Sequence, residues 1–259
     1  MSDRVTIQVQ DQVADVRFNR ADKMNALDPE QFAAIGAAID DLHTRDDVRC
    51  VVLSGEGKAF CAGLDMASMA AGGSGTGRER NDQGSILPQH VSWGWRQLPM
   101  PVIAAVHGVA FGGGFQIMSG ADIRIAKPDT RFAIRETYWG LVPDMAGFPL
   151  WRTMVRDDVL RELVYTAREF DAVEAASYGF VTRLAEDPHA AAMELARSIA
   201  SRSPHAIRGA KRLLGAAHDL DPRAMLEMET DEQVKLIGKA NMMEAVAANM
   251  GRRTANFYD

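Results

Sequence analysis

This sequence predicts an α/β fold followed by a helical C-terminal segment, and three observations carry that expectation. Short apolar runs alternate with helix-patterned stretches through the first half of the chain. Three consecutive glycines, Gly112 to Gly114, stand between an apolar run and a second apolar stretch, Phe115 to Met118. From about residue 188 onward the pattern is helical throughout. We therefore expect a core over residues 1–200 and a helical segment over 201–259.

Taken in order, residues 4–10 (RVTIQVQ) and 13–20 (VADVRFNR) read as paired strands joined by a tight Asp11-Gln12 turn. Leu27-Asp28-Pro29 opens a helix with Asp28 as N-cap, and Phe32, Ile35, Ile39 and Leu42 form its apolar stripe. Residues 48–55 form a buried strand that ends at glycines, and helical signals return from Ile86 to Leu98. A strand over Val102 to Val106, the glycine turn and a strand over Asp122 to Ala126 follow. Pro188, Pro204 and Asp221-Pro222 start the later helices, and Gly251 closes the last long one. Methionines 225, 228, 242, 243 and 250 stud these helices and read as core or subunit contact.

At 259 residues, 47% hydrophobic and 25% charged, the composition is that of a soluble globular protein. The net charge of −6 gives no electrostatic reason to expect nucleic acid or an anionic membrane as partner. No apolar run approaches the roughly 20 residues of a membrane span. The opening MSDRVTIQV lacks an apolar signal region. Cys50 and Cys61 are too few to hold a metal cluster and read as buried thiols. The expectation is a cytoplasmic protein. Residues 72–77 (GGSGTG) lack the Lys-Ser/Thr of a nucleotide-binding loop and read as a surface loop.

The segment Gly108 to Gln116 is the most informative in the chain. A glycine-rich turn lets backbone approach a ligand closely, and amides at the start of the following helix have no intrahelical acceptor. Such a site suits an oxygen that becomes negative during a reaction. A tight turn packed on a sheet is the alternative reading of these glycines.

Five segments together give the chain an identifiable resemblance: FNRADKMNALD (18–28), GEGKAFCAGLDM (55–66), PVIAAVHGVAFGGGFQIMSGADIRIA (101–126), FAIRETYWGLVPD (132–144) and RRTANFYD (252–259). They resemble the crotonase superfamily, the enoyl-CoA hydratase/isomerase family, nearly end to end. The resemblance implies a spiral of ββα units with a C-terminal oligomerisation segment, assembled as a homotrimer or hexamer. It also implies an acyl-CoA thioester as substrate, with coenzyme A part of that substrate and no separate cofactor or metal. The thioester oxygen would lie between the backbone amides of Leu64 and Gly113, which stabilise an enolate without reorganising.

Hydratases of this family use two glutamates. Glu136 matches the second, whereas the first falls on Gln116. A carboxamide can orient a partner but cannot exchange a proton near neutral pH, so the resemblance favours double-bond isomerisation over hydration. Asp144, eight residues after Glu136, matches an aspartate that the family's dienoyl-CoA isomerases pair with this glutamate, although those enzymes carry a further aspartate where this chain has Gln116, so the match is partial; its alternative reading is a turn residue or N-cap. Glu136 itself could instead be a surface partner of Arg131 or Arg135. For coenzyme A the resemblance points to Lys23, Met24, Ala62 and Asp65, and to Arg252 and Arg253 for the phosphates. The acyl pocket would run along Met66 to Met69, the loop beyond, and Trp139 to Phe148. A non-catalytic acyl-CoA-binding subunit is the alternative from another functional class.

Overall fold

A computed structural model describes residues 3–70, 79–82 and 84–259; the GGSGTG stretch lies outside the described residues. The chain opens with β1 (Val5–Gln10), β2 (Val13–Phe18), α1 (Pro29–His43), β3 (Cys50–Gly55), α2 (Met66–Ala70) and α3 (Leu87–Gln97). Next come β4 (Val102–Val106), β5 (Val109–Phe111), α4 (Gly113–Ser119), β6 (Ile123–Ala126), β7 (Arg131–Ala133), α5 (Gly147–Trp151) and α6 (Asp157–Thr166). The last elements are β8 (Phe170–Asp171), α7 (Ala172–Tyr178), β9 (Arg183–Leu184), α8 (Pro188–Ala200), α9 (Pro204–Ala216), α10 (Pro222–Val234) and α11 (Ala240–Met250).

Six strands form one sheet in the order β1-β2-β3-β4-β6-β9, and β5-β7-β8 form a second. Only the β1–β2 hairpin is antiparallel in the large sheet, and its turn places Asp11 and Gln12 at φ 52° and 64°, the double left-handed turn that suits twisted hairpins. The large and small sheets grow together. β4 and β6 pair in one while the strands that follow them, β5 and β7, pair in the other. Each pass of chain thus adds one strand to each sheet, which winds the backbone into a spiral. The short β5 was not expected from sequence: it lies between the Val102–Val106 strand and the glycines.

Helix starts follow the predicted chemistry. The Asp28 side chain accepts from the Gln31 amide at 2.8 Å with Pro29 in the first turn, and Asp187 and Asp221 cap α8 and α10 in the same way. Phe32, Ile35, Ile39 and Leu42 are all buried on α1. One face of the large sheet packs on α8 through Ala192, Ala196 and Ala200, which contact Val52, Ile103 and Ile125. The other face joins the main core with α1, α3 and α4. Behind α4, Phe115 is ringed by Phe132, Trp151, Phe170 and Phe180 at centroid distances of 5.1–5.8 Å. This rigid backing fixes α4 and whatever it presents.

The C-terminal helices bury little of their own surface. Met242, Met243 and Met250 are exposed, so the methionine faces are not protomer core. The final residues return to the sheet: Arg49 donates to the Asp259 carboxylate at 2.6 and 3.0 Å and to the Phe257 carbonyl at 3.0 Å. Among the described residues no helix is long and apolar enough to cross a membrane. Both cysteines are free and buried, and burial pushes each thiol up to about 12.

Candidate active site

The site forms where the segment after β3 meets the turn after β5. The chain pairs Leu64 with Leu27 in a parallel bridge: the Leu27 amide donates to the Gly63 carbonyl and the Asp65 amide to the Leu27 carbonyl, both within 3.0 Å. That pairing turns the Leu64 amide to the opposite side. A few residues earlier, Cys61 bridges Ala110, which draws the same loop against β5. Gly113 is the first residue of α4, so its amide has no intrahelical acceptor. Neither amide donates to another described residue. Leu64 and Gly113 line one cavity of about 360 Å³, together with Ala62, Phe111, Arg135 and Glu136.

The glycines are required by contact. Gly112 adopts φ 48°, a conformation that side chains disfavour. A Cβ on Gly114 would overlap the Cys61 carbonyl oxygen and lie 2.8 Å from the Cys61 Cβ. Gly114→Ala is expected to push α4 away from the loop that carries Leu64. A thermal melt should show a loss of about 1–3 kcal/mol, and turnover should fall more than binding because the two amides separate.

Glu136 follows β7 and is 7% exposed. Its Oε1 accepts from the Gln116 carboxamide at 2.7 Å, while its Oε2 is buried with no partner. Burial pushes this carboxyl up from the usual range; the Gln116 hydrogen bond opposes the shift and Asp144 adds to it. The surface-pair reading of Glu136 does not hold. Arg131 and Arg135 both pair with Glu169, and both stack over Phe111. Gln116 is fully buried, and besides its bond to Glu136 it accepts from the Met145 and Gly147 amides, each at 3.0 Å.

A second cavity, of about 170 Å³, shares Leu64, Glu136 and Leu141 with the first and adds Phe32, Met69, Pro88, Val142, Asp144 and Met145. Both carboxylates therefore line one apolar chamber. Asp144 is the more exposed of the two, and its own desolvation still raises its carboxyl. It is not a helix N-cap: α5 begins after Ala146, which takes the left-handed conformation at φ 67°. The chamber includes Met69 and part of the 139–148 stretch as expected. Phe32 and Pro88, on α1 and α3, come from elements that sequence reasoning had treated only as scaffold.

The residues expected to hold coenzyme A divide. Ala62 lines the first cavity and its amide donates to the Met24 carbonyl at 2.9 Å, so the two loops are locked together. Met24 has φ 49° and is exposed, and Lys23 beside it is exposed as well. The Asp65 carboxylate is already engaged: it accepts from the Ser68 amide and pairs with Arg20 at 2.8 Å, and these hold it below the usual range. Arg253 chelates Glu244 at 2.6 and 2.8 Å. Arg252 follows α11, and neither arginine lines either cavity in this protomer. Sequence reasoning missed Arg135, which lines the cavity between the Phe111 and Tyr138 rings at 5.3 and 5.4 Å. It also missed Asn25, whose fully buried amide binds the Glu56 and Ala59 carbonyls and shapes the loop leading to Leu64. Among the described residues no group of three or more His, Cys, Asp or Glu side chains converges as a metal would require.

Two unsatisfied amides lining one cavity with a buried carboxylate can stabilise an oxyanion while a proton moves at the neighbouring carbon. The sequence model of the family described as enoyl-CoA hydratase/isomerase matches residues 8–259. The chain is 30% identical over 262 residues to the mitochondrial Delta(3,5)-Delta(2,4)-dienoyl-CoA isomerase of Mus musculus, covering 94% of this chain and 78% of that one. It is 29% identical over 252 residues to the short-chain-enoyl-CoA hydratase of Clostridium acetobutylicum, covering 96% and 95%. Its fold superposes on the enoyl-CoA hydratase of Bacillus anthracis with a TM-score of 0.87 at 27% identity, over 98% of each chain. The spiral fold and the end-to-end match agree, and the chain belongs to the enoyl-CoA hydratase/isomerase family of the crotonase superfamily.

Proposed function

We propose that this enzyme shifts a double bond in an enoyl- or dienoyl-CoA through a thioester enolate. The observation that carries the reading is that the buried Glu136, one of whose carboxylate oxygens has no partner, lines the same cavity as Leu64 and Gly113, whose amides are free. The thioester oxygen accepts from both amides. Glu136 removes a proton from C2; the C–H electron pair moves into the C1–C2 bond and the oxygen becomes negative. For a 3-enoyl-CoA the proton then returns at C4, the oxyanion collapses to the carbonyl, and a 2-enoyl-CoA results. A 3,5-dienoyl-CoA takes the proton at C6 instead, from a protonated Asp144 that lines the same cavity; Glu136 keeps the C2 proton, and the two carboxyls reset by proton exchange with solvent.

Gln116 favours this reading over hydration, which needs a second group able to exchange a proton with water. The hydratases among the relatives keep hydration as the second reading. Coenzyme A enters as part of the substrate, with no separate cofactor. Lys23, Met24 and Ala62 frame its entry, and Arg252, beside the Arg253–Glu244 pair, reaches its phosphates from a neighbouring subunit of a trimer or hexamer built through residues 201–259. For location we keep the cytoplasm, where two free buried thiols suit a reducing compartment; similar isomerases are named for mitochondria and for peroxisomes.

Mass spectrometry of products from 2-enoyl-, 3-enoyl- and 3,5-dienoyl-CoA tests the assignment. A product of unchanged mass and new retention time is expected. A product heavier by one water would transfer the assignment to hydration, and tight binding without turnover of any thioester would favour the non-catalytic subunit.

A further inference from the structure

The carboxamide of Gln116 makes three hydrogen bonds, all to groups outside its own helix. Its nitrogen donates to Glu136 Oε1 at 2.7 Å, and its oxygen accepts from the Met145 and Gly147 amides at 3.0 Å each. Only one orientation of the amide satisfies all three, since the flipped form would set its NH₂ against two backbone donors and its oxygen against a carboxylate. The group is fully buried on α4, whose far side is clamped by the Phe115 aromatic cluster and by a Trp151 Nε1 to Ser119 Oγ bond of 2.9 Å. The three partners lie in two separate segments, Glu136 after β7 and the 145–147 turn that follows Asp144.

We propose that Gln116 is a positioning residue: it holds Glu136 Oε1 while Oε2 is left without a partner, and it ties that carboxylate to the turn beside Asp144. The proposal rests on the reading of Glu136 as the proton carrier, and it goes beyond that reading by saying what a glutamine accomplishes at a position where a second acid would fit. A glutamate there could still accept from both backbone amides. Its other oxygen would then oppose Glu136 Oε1 at hydrogen-bonding distance, and two carboxylates so close cannot both ionise. The neutral amide keeps Glu136 free to lose its proton independently. It also fixes the carboxylate by a donor, a task a leucine of similar size cannot perform.

Two variants and two readouts test this. In Gln116→Glu, infrared titration of the substrate-free protein, with the Glu136 band identified by its loss in Glu136→Gln, should show the carboxyl titrating higher by at least about one pH unit. The acid limb of kcat/KM should move up with it. In Gln116→Leu, kcat is expected to fall about 10- to 100-fold while KM stays near the wild-type value, because the carboxylate is no longer held in line. If Gln116→Leu does not fold, Gln116→Glu, which keeps both backbone bonds, still decides the matter. An unchanged infrared titration in Gln116→Glu, or full kcat in Gln116→Leu, would overturn the proposal. The infrared shift without any double-bond transfer by the wild-type enzyme would instead defeat the functional reading and leave the positioning role standing.

Discussion

Glu136→Gln should abolish double-bond transfer almost completely, lowering kcat by about 100- to 10,000-fold while the thioester still binds. The substitution is nearly isosteric. It leaves the Leu64 and Gly113 amides and both cavities in place, so only the ability to carry a proton is removed. The same change should stabilise the fold at neutral pH. Burial raises the Glu136 carboxyl in the folded state, so the folded protein holds a proton that the unfolded chain releases. Below the ordinary carboxylate range both states are protonated and the residue has no effect. As pH rises through the raised folded value, the folded state must bury a charge and stability falls. The melting temperature of Glu136→Gln should therefore exceed that of the wild type near pH 7 and match it at about pH 3.5. Equal melting curves at both pH values would show that Glu136 is not carried at a desolvation cost. The combination of lost activity and gained stability marks a functional group rather than a structural one.

Lys211→Met should produce the largest loss of stability, about 3 kcal/mol or more. Lys211 projects from α9 toward the starts of the inner strands β4 and β6, where it donates to Asp122 at 2.7 Å, to the Met100 carbonyl at 2.8 Å and to the Trp95 carbonyl at 3.4 Å. Asp122 also accepts from the Val102 amide at 2.8 Å, which fixes the first residue of β4. Burial lowers the lysine from its ordinary value, and the attraction to Asp122 works against that shift. Without the ammonium, Asp122 keeps the Val102 amide and, as its only cation among the described residues, Arg96 at 3.5 Å, and two carbonyls lose their donor. Adding Asp122→Asn to Lys211→Met should recover part of the loss, because it removes the uncompensated charge. Chemical denaturation of the two variants measures both terms. A loss below about 0.5 kcal/mol for Lys211→Met would mean that the pair contributes nothing to anchoring the C-terminal helices.

Much of this structure was legible in the sequence, and the reasons are local. The Asp28-Pro29 helix start, the Asp11-Gln12 turn and the prolines of α8, α9 and α10 are backbone chemistry that tertiary contacts have no cause to override. Glu136, Gly113 and Leu64 were identified by motif and do come together in one cavity. What stayed hidden depends on contacts distant in sequence. Three-residue β5 carries too little periodicity to register as a strand, yet it sets the direction of the glycine turn. Gln116 was legible as a departure from a hydratase pattern, but its bonds to residues 136, 145 and 147 are formed only once the spiral closes. The pairing of Arg131 and Arg135 with Glu169 likewise spans more than 30 residues, and it leaves Glu136 without either arginine. Asp65 and Arg253 were chosen by position, whereas their side chains are taken up by Arg20 and Glu244.

The claim at the centre of this account is that Glu136 removes the C2 proton of a bound CoA thioester. A 3-enoyl-CoA fully deuterated at C2, incubated with wild type and with Glu136→Gln, tests it by nuclear magnetic resonance at that carbon. Loss of C2 deuterium is expected with the wild-type enzyme, and its retention with Glu136→Gln at matched thioester occupancy. Loss of C2 deuterium at the wild-type rate in Glu136→Gln would contradict it.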